Sequence, residues 1–353
     1  MNKFKFESKI YLLLNNRWLK ILAVSVLKLF KRRYLFIRMD TNNFCNLACS
    51  MCPFSISKNQ KREIMPLQLF GRVANELFPL ARYLYLSCGT EPLVTPDFEK
   101  YIEIAKGYKV PFISFCTNGV LMDEAMSKKV IELGVNEVIF SIDGATKATF
   151  ERIRKGADFD KVIGNIGTLA RLKVESRSKL PSIRINTTMQ KDNFNELEDI
   201  LRLAKKYGAG TVQFRHLVPV GGLVTKAQSL FGMKEEYNSK LESLVELAKQ
   251  LKISITYPPK FELKKEAKEK QEKSECAFPW FYMYINHLGR AKPCPFFREN
   301  MIDFHSQTYK DYQNNPKLRA AKMALLSGAK DSCVRFCQSQ GGTVDVNAEN
   351  YFE

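Results

Sequence analysis

Three cysteines lie close together in the amino-terminal part of the chain, in the run Cys45-Asn-Leu-Ala-Cys49-Ser-Met-Cys52. Because only three and then two residues separate them, one short loop presents three thiolates. Soft thiolates suit iron–sulfur clusters, and three protein ligands to a four-iron cluster leave one iron open to an external chelating ligand. A structural zinc site usually takes four ligands, and no fourth partner lies nearby in the sequence. The spacing therefore favours a cluster with an open iron, with zinc as the alternative.

A second group of four cysteines lies in the carboxyl-terminal part of the chain: Cys276, Cys294, Cys333 and Cys337. Between the first two, residues 280–285 are apolar and aromatic, and Gly289 precedes a second short segment at 290–293. This pattern predicts a β-hairpin that turns at the glycine and brings the first two cysteines near each other. Four thiolates would close a cluster completely, and a zinc site is the competing interpretation.

The elements that must position these residues alternate short β-rich runs with amphipathic helical stretches, which predicts parallel strands joined by crossover helices. Helices are predicted over 67–78, 98–106, 124–133, 159–172, 194–207 and 236–251, from apolar residues at helical spacing. The six predicted strands are 34–39, 83–86, 112–115, 137–142, 183–187 and 211–215.

Unusual polar residues follow these strands repeatedly. Cys88-Gly-Thr-Glu-Pro92 comes after the second strand, Thr117-Asn-Gly119 after the third, and Ser141-Ile-Asp-Gly144 at the end of the fourth. Arg215 and His216 close the sixth, where one of the two should point inward as a substrate-facing group or general base. Because ligand sites gather at the carboxyl ends of parallel strands, these segments are expected to converge. Cys88 and Cys116 are interpreted as small buried hydrophobic residues and not as ligands.

The cysteine triplet after a first strand resembles the radical S-adenosylmethionine (radical SAM) superfamily. Gly89-Thr-Glu-Pro92 is similar to that family's Gly-Gly-Glu-Pro segment, which binds the methionine amino group, although Thr90 replaces the second glycine. The resemblance implies an α/β fold, a partial (β/α)6 TIM-like barrel, with the open iron chelating SAM. It also implies that Ser141 contacts the ribose or carboxylate of SAM, that Arg154 contacts its carboxylate, and that Met51 packs at the adenine. The cofactor-binding residues implied are Met51, Gly89, Thr90, Glu91, Asn118, Ser141 and Arg154.

The later cysteines resemble the SPASM or shorter twitch extension of radical SAM enzymes, in which a Cys-x(9–15)-Gly-x4-Cys segment begins an auxiliary cluster site. Four cysteines fit one fully ligated auxiliary four-iron cluster in a small C-terminal α+β domain. The expected organisation is a helical segment over 1–33, the partial barrel over 34–235, a helix and charged linker over 236–275, and the auxiliary domain over 276–353.

The composition limits the classes of binding partner but does not identify one. A formal net charge of +18 suits nucleic acid, an anionic membrane or a phosphorylated substrate, but the basic residues are scattered, so nucleic-acid binding is not expected. Residues 10–33 mix apolar and basic residues with charge-free runs too short to cross a bilayer. An amphipathic helix packed on the protein is expected there, with peripheral membrane contact as the alternative. No signal peptide is evident, so a cytoplasmic location is expected.

The resemblance implies that one electron, from an external donor such as flavodoxin or ferredoxin, cleaves SAM and that a 5′-deoxyadenosyl radical takes hydrogen from the substrate. An auxiliary cluster suits a two-electron oxidation, as in the butirosin-pathway aminocyclitol dehydrogenase and the anaerobic sulfatase-maturating enzymes, which the chain resembles in this respect. The expected reaction is dehydrogenation of a secondary alcohol on a cyclitol or sugar-like small molecule, with His216 and Arg215 as the catalytic candidates. Peptide modification and epimerisation are the alternatives, and a zinc-stabilised binding protein is a distant one.

Overall fold

The computed structural model describes residues 17–52, 55, 61–87, 89–217, 227–261, 276–295, 297 and 299–327. The helices are α1 Arg17–Leu29, α2 Leu67–Leu77, α3 Phe98–Gly107, α4 Glu124–Glu132, α5 Lys147–Ile153, α6 Phe159–Glu175, α7 Leu197–Lys206, α8 Lys234–Leu251, α9 Phe278–Phe281, α10 Tyr309–Asn314 and α11 Pro316–Ser327. The strands are β1 Leu35–Met39, β2 Ala81–Leu86, β3 Phe112–Thr117, β4 Glu137–Ser141, β5 Ser182–Met189, β6 Thr211–His216, β7 Ser254–Thr256, β8 Tyr282–Ile285, β9 Arg290–Lys292 and β10 Ile302–Asp303.

All ten of these strands form one sheet, in the order β10-β9-β8-β1-β2-β3-β4-β5-β6-β7. Strands β1 to β7 pair in parallel with their sequence neighbours, and β8 adds in parallel to the other side of β1. The two ends of the sheet, β7 and β10, do not pair with each other, so the barrel is open. The predicted α/β fold with a partial barrel is confirmed.

The two faces of the sheet differ in polarity toward the carboxyl ends of the strands, whereas Phe36, Tyr83 and Phe112 lie nearer the amino ends on the less apolar face. Strand β5 shows the alternation clearly: Ile183, Ile185 and Met189 are almost completely buried, whereas Arg184 and Asn186 are half-buried. The buried set of each strand belongs to one hydrophobic core with the apolar faces of the helices. Since directly paired residues of parallel strands share a face, the register identifies the opposite, polar side, here called the inner face. It carries Arg38, Tyr85, Ser114, Cys116, Ser141, Asn186, Thr188, Gln213, Arg215 and Tyr284.

The predicted hairpin after residue 280 is confirmed, because β8 and β9 pair antiparallel. Gly289 lies in the turn with φ +71°, a backbone conformation that L side chains rarely adopt. A side chain there would also meet Leu69 at 3.1 Å. The hairpin is not a separate sheet, since β8 continues the main sheet beside β1.

Helix α1 lies within the segment that was expected to form an amphipathic helix. Val24 is buried in the core, and the Arg17 guanidinium donates to the Leu325 carbonyl of α11 at 2.5 Å. Among the described helices, none is long and apolar enough to cross a membrane.

Candidate active site

The cysteine loop leaves the carboxyl end of β1 and is fixed on both sides by hydrogen bonds. Asn42 donates its amide to the Glu91 carbonyl and to the Thr95 hydroxyl, both at 2.8 Å, which ties the start of the loop to the segment after β2. Further along, the amides of Ala48 and Ser50 each donate at 2.9 Å to carbonyls at the end of α5. The loop is therefore held between two neighbouring segments that also follow strands.

The three thiols of this loop lie near enough to influence one another. Cys49 is buried, and Cys45 and Cys52 are half-buried. Burial raises the pKa of the Cys49 thiol to about 11, against the opposing effect of the Arg154 guanidinium, and the charges of Cys52 and Cys45 raise it further. Burial is also the main reason that the pKa of Cys45 is raised. The thiols of Cys45 and Cys49 are therefore protonated near neutral pH, and a bound metal would have to displace those protons.

The surroundings of Cys45 fit a cluster ligand. The Leu47 amide donates to its Sγ at 3.4 Å, and the Asn118 side-chain amide does so at 3.7 Å. N–H groups directed at a sulfur stabilise the thiolate form, which is the form that ligates iron. In the described part of the chain, no three His, Cys, Asp or Glu side chains surround a point as the ligands of one metal ion would. The donor set and its N–H contacts fit an iron–sulfur cluster better than a single ion at this loop.

Glu91 connects the loop after β2 to the loop after β3. Its side chain is 2% exposed and accepts three hydrogen bonds: from the Thr117 hydroxyl at 2.8 Å, the Asn118 amide at 2.6 Å and the Leu93 amide at 3.1 Å. Burial raises the pKa of Glu91 to about 7, although these donors favour the charged form. The carboxylate thus fixes Asn118, the residue whose side chain reaches Cys45.

Gly89 and Thr90, in the same segment, face the cysteine loop. The Gly89 amide donates to Asp40 Oδ1 at 3.3 Å, and a Cβ at this position would lie 3.1 Å from Asp40 Oδ2. The Thr90 hydroxyl donates to the Asn42 carbonyl at 3.2 Å, so threonine is accommodated where the family's second glycine would stand. Cys88 lies outside the described residues. Met51 is half-buried and packs against the core.

Asp143 and Arg154 form an ion pair beneath the loop. Arg154 Nη2 lies 2.7 Å from Asp143 Oδ2, with the carboxylate fully buried and the guanidinium nearly so. Asp143 Oδ1 also accepts from the Thr188 amide at 2.7 Å. Burial alone would lower the pKa of Arg154, but Asp143 and the nearby Cys49 raise it, so the side chain is a fixed positive charge. Its charge acts on Cys49, the most buried of the three thiols.

Ser141 and Cys116 meet on the inner face, with the serine hydroxyl 3.4 Å from the cysteine Sγ. Cys116 is half-buried, and its position follows from the pairing of Cys116 with Ile139 in adjacent strands. It is therefore not a core residue of the helix-covered side, which corrects its interpretation as a small buried hydrophobic residue.

His216 and Arg215 point to opposite faces of the sheet. The His216 ring is 6% exposed and packs against Tyr237 and Phe261, with ring centroids at 4.8 and 4.9 Å. Within the part of the chain that the structure describes, neither ring nitrogen has a hydrogen-bond partner, and burial lowers the pKa of His216 to about 4. Arg215 is exposed on the inner face, where its guanidinium donates to Gln213 at 2.8 Å. The structure therefore brings Arg215, and not His216, to the face that carries Ser141.

Asp40 and Tyr284 are site residues that the sequence patterns did not single out. Asp40 directly follows β1 and is 3% exposed, and the Tyr284 hydroxyl donates to its Oδ2 at 2.5 Å. Burial and then the Asp40 carboxylate raise the pKa of Tyr284 well above its usual range. The position of Asp40, immediately after the last strand residue, was the available signal.

The described cysteines of the second group, Cys276 and Cys294, lie at the other end of β8. Cys276 is buried and precedes α9 and the start of β8. Cys294 is half-buried and follows β9, which runs back along β8 toward that same end. Cys333 and Cys337 lie outside the described residues.

A comparison with protein-family models covers the part of the chain that contains this site. Residues 39–204, from the last residue of β1 into α7, match the model of the radical SAM superfamily. The chain contains a radical SAM domain. This domain holds the cysteine triplet, Glu91, Asn118, Ser141 and Arg154.

Curated relatives of this chain differ in how much of their length they share with it. A probable GTP 3′,8-cyclase of Sulfurisphaera tokodaii is 26% identical over 307 residues, which cover 84% of this chain and 92% of that protein. The tungsten-containing aldehyde ferredoxin oxidoreductase cofactor-modifying protein of Pyrococcus furiosus is 28% identical, covering 53% of this chain and 52% of its own. The mycofactocin maturase MftC of Mycobacterium tuberculosis is 28% identical, covering 50% and 43%. The chain thus matches only about half the length of the last two.

Solved structures share the radical SAM fold at low sequence identity. Streptococcus suis SuiB bound to S-adenosylmethionine superposes with a TM-score of 0.64 at 15% identity, covering 80% of this chain and 66% of that one. The structure of anSMEcpe with bound AdoMet and a peptide gives a TM-score of 0.60 at 18% identity, covering 87% and 90%. Both comparisons support the open barrel described above.

Proposed function

We propose that this protein is a radical SAM oxidoreductase that dehydrogenates a secondary alcohol of a cyclitol or sugar-like small molecule. The observation that carries the proposal is the thiol loop of Cys45, Cys49 and Cys52, held at the carboxyl ends of the strands next to the polar inner face. When bound there, a four-iron cluster would supply the electron that cleaves SAM and releases the 5′-deoxyadenosyl radical, which takes hydrogen from the substrate.

Some residues of the protein would contact SAM, and others would position those residues. The Gly89–Thr90 backbone, Ser141, Arg154 and, within the loop itself, Met51 are proposed to contact SAM. The Glu91 carboxylate already accepts three hydrogen bonds, so its proposed role is to position the segments that touch SAM. Asn118 would act in the same way through its bond to Cys45.

The substrate is proposed to lie against the inner face. Strands β5 and β6 place Asn186, Thr188, Gln213 and Arg215 side by side on this face, next to Ser141 of β4. Such a concentration of donors and acceptors suits a polyhydroxylated molecule, because each hydroxyl needs a partner once water is excluded. Arg215 takes the substrate-facing role for which His216 was the first candidate, since His216 lies on the other face.

The second cysteine group is proposed to hold an auxiliary cluster through Cys276 and Cys294, together with Cys333 and Cys337. Such a cluster would accept the second electron of the oxidation, while a proton leaves the substrate hydroxyl. Flavodoxin or ferredoxin is the proposed class of external donor.

Anaerobic iron reconstitution tests the proposal. The wild type should bind about eight irons, as two four-iron clusters require, and form 5′-deoxyadenosine when reduced with SAM. The variant Cys45→Ala/Cys49→Ala/Cys52→Ala should lose about half of the iron and all 5′-deoxyadenosine formation. Cys116→Ala, a single replacement of a cysteine outside the ligand set, should keep the full iron content. Wild-type levels of 5′-deoxyadenosine from the triple variant would refute the assignment.

Substrate oxidation is tested with cyclitols deuterated at their carbinol carbons. Deuterium in 5′-deoxyadenosine identifies the carbon that loses hydrogen, and a ketone product identifies dehydrogenation. Cys276→Ala/Cys294→Ala should keep 5′-deoxyadenosine formation but lose the ketone. Equal ketone yield from this variant and the wild type would remove the auxiliary site from the reaction.

Epimerisation is a second candidate, because Cys116 presents a half-buried thiol on the inner face beside Ser141. A thiol there would return a hydrogen atom to the opposite face of a substrate radical. Solvent deuterium would then enter the product, and Cys116→Ala would stop turnover after hydrogen abstraction. Peptide modification is the other alternative, supported by the similarity to the mycofactocin maturase over half of the chain.

A further inference from the structure

Helix α1 has apolar side chains on two sides: one side is buried against the protein, and the other is largely exposed. Arg17 and Val24 are buried, and Lys28 lies over the Tyr34 ring at 4.8 Å. The opposite side of the helix and the residue that follows it present large apolar side chains to solvent: Trp18, Leu19, Leu22, Val26, Leu29 and Phe30. These six make up nearly half of the thirteen exposed large apolar side chains found among the described residues. Their concentration on one short helix is unusual for a surface that faces only water.

The exposed side chains form a continuous stripe. Leu22, Val26 and Leu29 follow one another at intervals of four and three residues, which places them on one side of the helix. Leu22 is 60% exposed and Leu29 is 77% exposed, so the stripe protrudes and is not a shallow groove. Ala23 and Ser25 lie on either side of the stripe around the helix, and none of the stripe residues is charged.

The charged residues of α1 and of its neighbour α11 all have the same sign. Residues 17–33 contain six basic residues and no Asp or Glu. The neighbouring helix α11, which the Arg17 guanidinium contacts through the Leu325 carbonyl, also has basic residues and no acidic one. It exposes a further apolar side chain, Met323, at 65%. Two adjacent helices thus combine protruding apolar side chains with charged residues that are all basic.

We propose that α1, with α11 beside it, docks the protein on an anionic lipid surface, with the stripe of Leu22, Val26 and Leu29 inserted at the headgroup boundary. An interfacial helix needs an apolar side, a basic rim and too little apolar length to span the bilayer, and α1 meets these conditions. The exposed cations Lys31 and Arg32 at its end would attract the anionic headgroups. A second copy of the chain is the competing occupant, but two identical stripes would bring two positive rims together.

The docking surface lies away from the candidate active site. The Arg33 guanidinium, just after α1, donates to the carbonyls of Phe78, Ala81 and Tyr108, which lie at the amino ends of β2 and β3. The cysteine loop follows the carboxyl end of β1. A docked molecule would therefore direct its active site toward water, and docking would not be required for SAM cleavage.

Vesicle co-sedimentation tests the proposal with the full chain. The wild type should sediment with vesicles of phosphatidylcholine and phosphatidylglycerol, less with phosphatidylcholine alone, and less at high salt because exposed charges are screened. Leu22→Glu/Leu29→Glu should lower the bound fraction at least tenfold while leaving 5′-deoxyadenosine formation unchanged. Val174→Glu, which alters a 79% exposed apolar residue on α6, is the matched control and should bind like the wild type.

Two further measurements keep the result independent of the folding of that double variant. Lys31→Glu/Arg32→Glu should remove the preference for phosphatidylglycerol, whereas Lys249→Glu on α8 should not. The chain has two tryptophans, so Trp280→Phe leaves Trp18 as the only tryptophan, and its emission should shift to the blue and be quenched by brominated lipid. The proposal is overturned if anionic vesicles do not bind the protein, if Val174→Glu weakens binding equally, or if light scattering shows a dimer that Leu22→Glu dissociates.

Discussion

Replacing Glu91 with glutamine separates a positioning role from direct contact with SAM. The carboxylate Oε1 accepts from Thr117 and Leu93, and Oε2 accepts from Asn118. A glutamine amide can accept with only one of its two ends. One orientation turns its NH2 group toward the Asn118 amide and the other turns it toward the Leu93 amide. In either orientation a backbone N–H that was bonded to a buried carboxylate loses its acceptor.

The size of the expected destabilisation follows from the one backbone hydrogen bond that is lost. A hydrogen bond to a charged acceptor contributes about 1.5–3 kcal/mol, and an unsatisfied buried donor costs about 1–3 kcal/mol. These two contributions partly describe the same lost hydrogen bond, so they do not add in full. The free energy of unfolding of Glu91→Gln should therefore fall by about 2–4 kcal/mol. Glu132→Gln, on a side chain that is 70% exposed, should change it by less than about 0.5 kcal/mol.

Urea denaturation of the two variants and the wild type, without metal and under reducing anaerobic conditions, gives the comparison. Reconstituted Glu91→Gln should also retain less iron, because Asn118 loses the bond that holds it near Cys45. The reasoning is refuted if Glu91→Gln unfolds at the wild-type urea concentration and only its affinity for SAM falls. Glu91 would then act by contact with SAM and not by positioning the two loops.

Three other substitutions test the packing around the site. His216→Phe should raise the free energy of unfolding by about 1–3 kcal/mol, because it removes two unpaired ring nitrogens. The wild type, whose pKa at His216 is lowered to about 4, should lose stability as pH falls from 6.5 toward 4, and this loss should be absent from His216→Phe in acid titrations. Arg154→Met should cost about 3–5 kcal/mol in urea denaturation, since it leaves the Asp143 carboxylate buried without its cation. Gly144→Ala should lower the thermal midpoint, because its Cβ would lie 2.6 Å from the Phe150 amide nitrogen.

The strands and most helices were predictable because their signals are local. Each of the six predicted barrel strands is present, with ends that differ by one or two residues, since alternation and flanking turn residues lie within the element itself. Helix α5 was missed because its seven residues are too few to show a helical period. Helix α8 begins at Lys234, two residues before the predicted start.

The alternation of residues in β6 determines the orientation of His216. Val212 and Phe214 are the apolar residues of β6, and His216 is the next residue of the same parity, so it must face the helices with them. Arg215 shares the parity of Gln213 and therefore faces inward. Alternation within the strand was the stronger criterion, whereas the rarity of histidine in the chain was a weaker one.

The partners of Glu91 and the addition of β8 to β1 could not be predicted in this way. Thr117 and Asn118 lie 26 and 27 residues from Glu91, and nothing in the spacing indicates that their donors meet one carboxylate. Similarly, β8 is separated from β1 by the whole barrel in sequence. Such contacts depend on how the strands and loops assemble in three dimensions and not on any local preference.

The addition of β8 has a consequence for the two cysteine groups. The triplet follows the carboxyl end of β1, while Cys276 and Cys294 lie at the amino end of β8, which runs parallel beside it. The four residues of β8 alone separate the two ends by about 10 Å. One metal centre therefore cannot be shared between the groups, since metal–sulfur bonds are about 2.3 Å long. Because the two groups lie at opposite ends of the β1–β8 pair, loss of Cys276 and Cys294 should leave the triplet and its SAM cleavage intact.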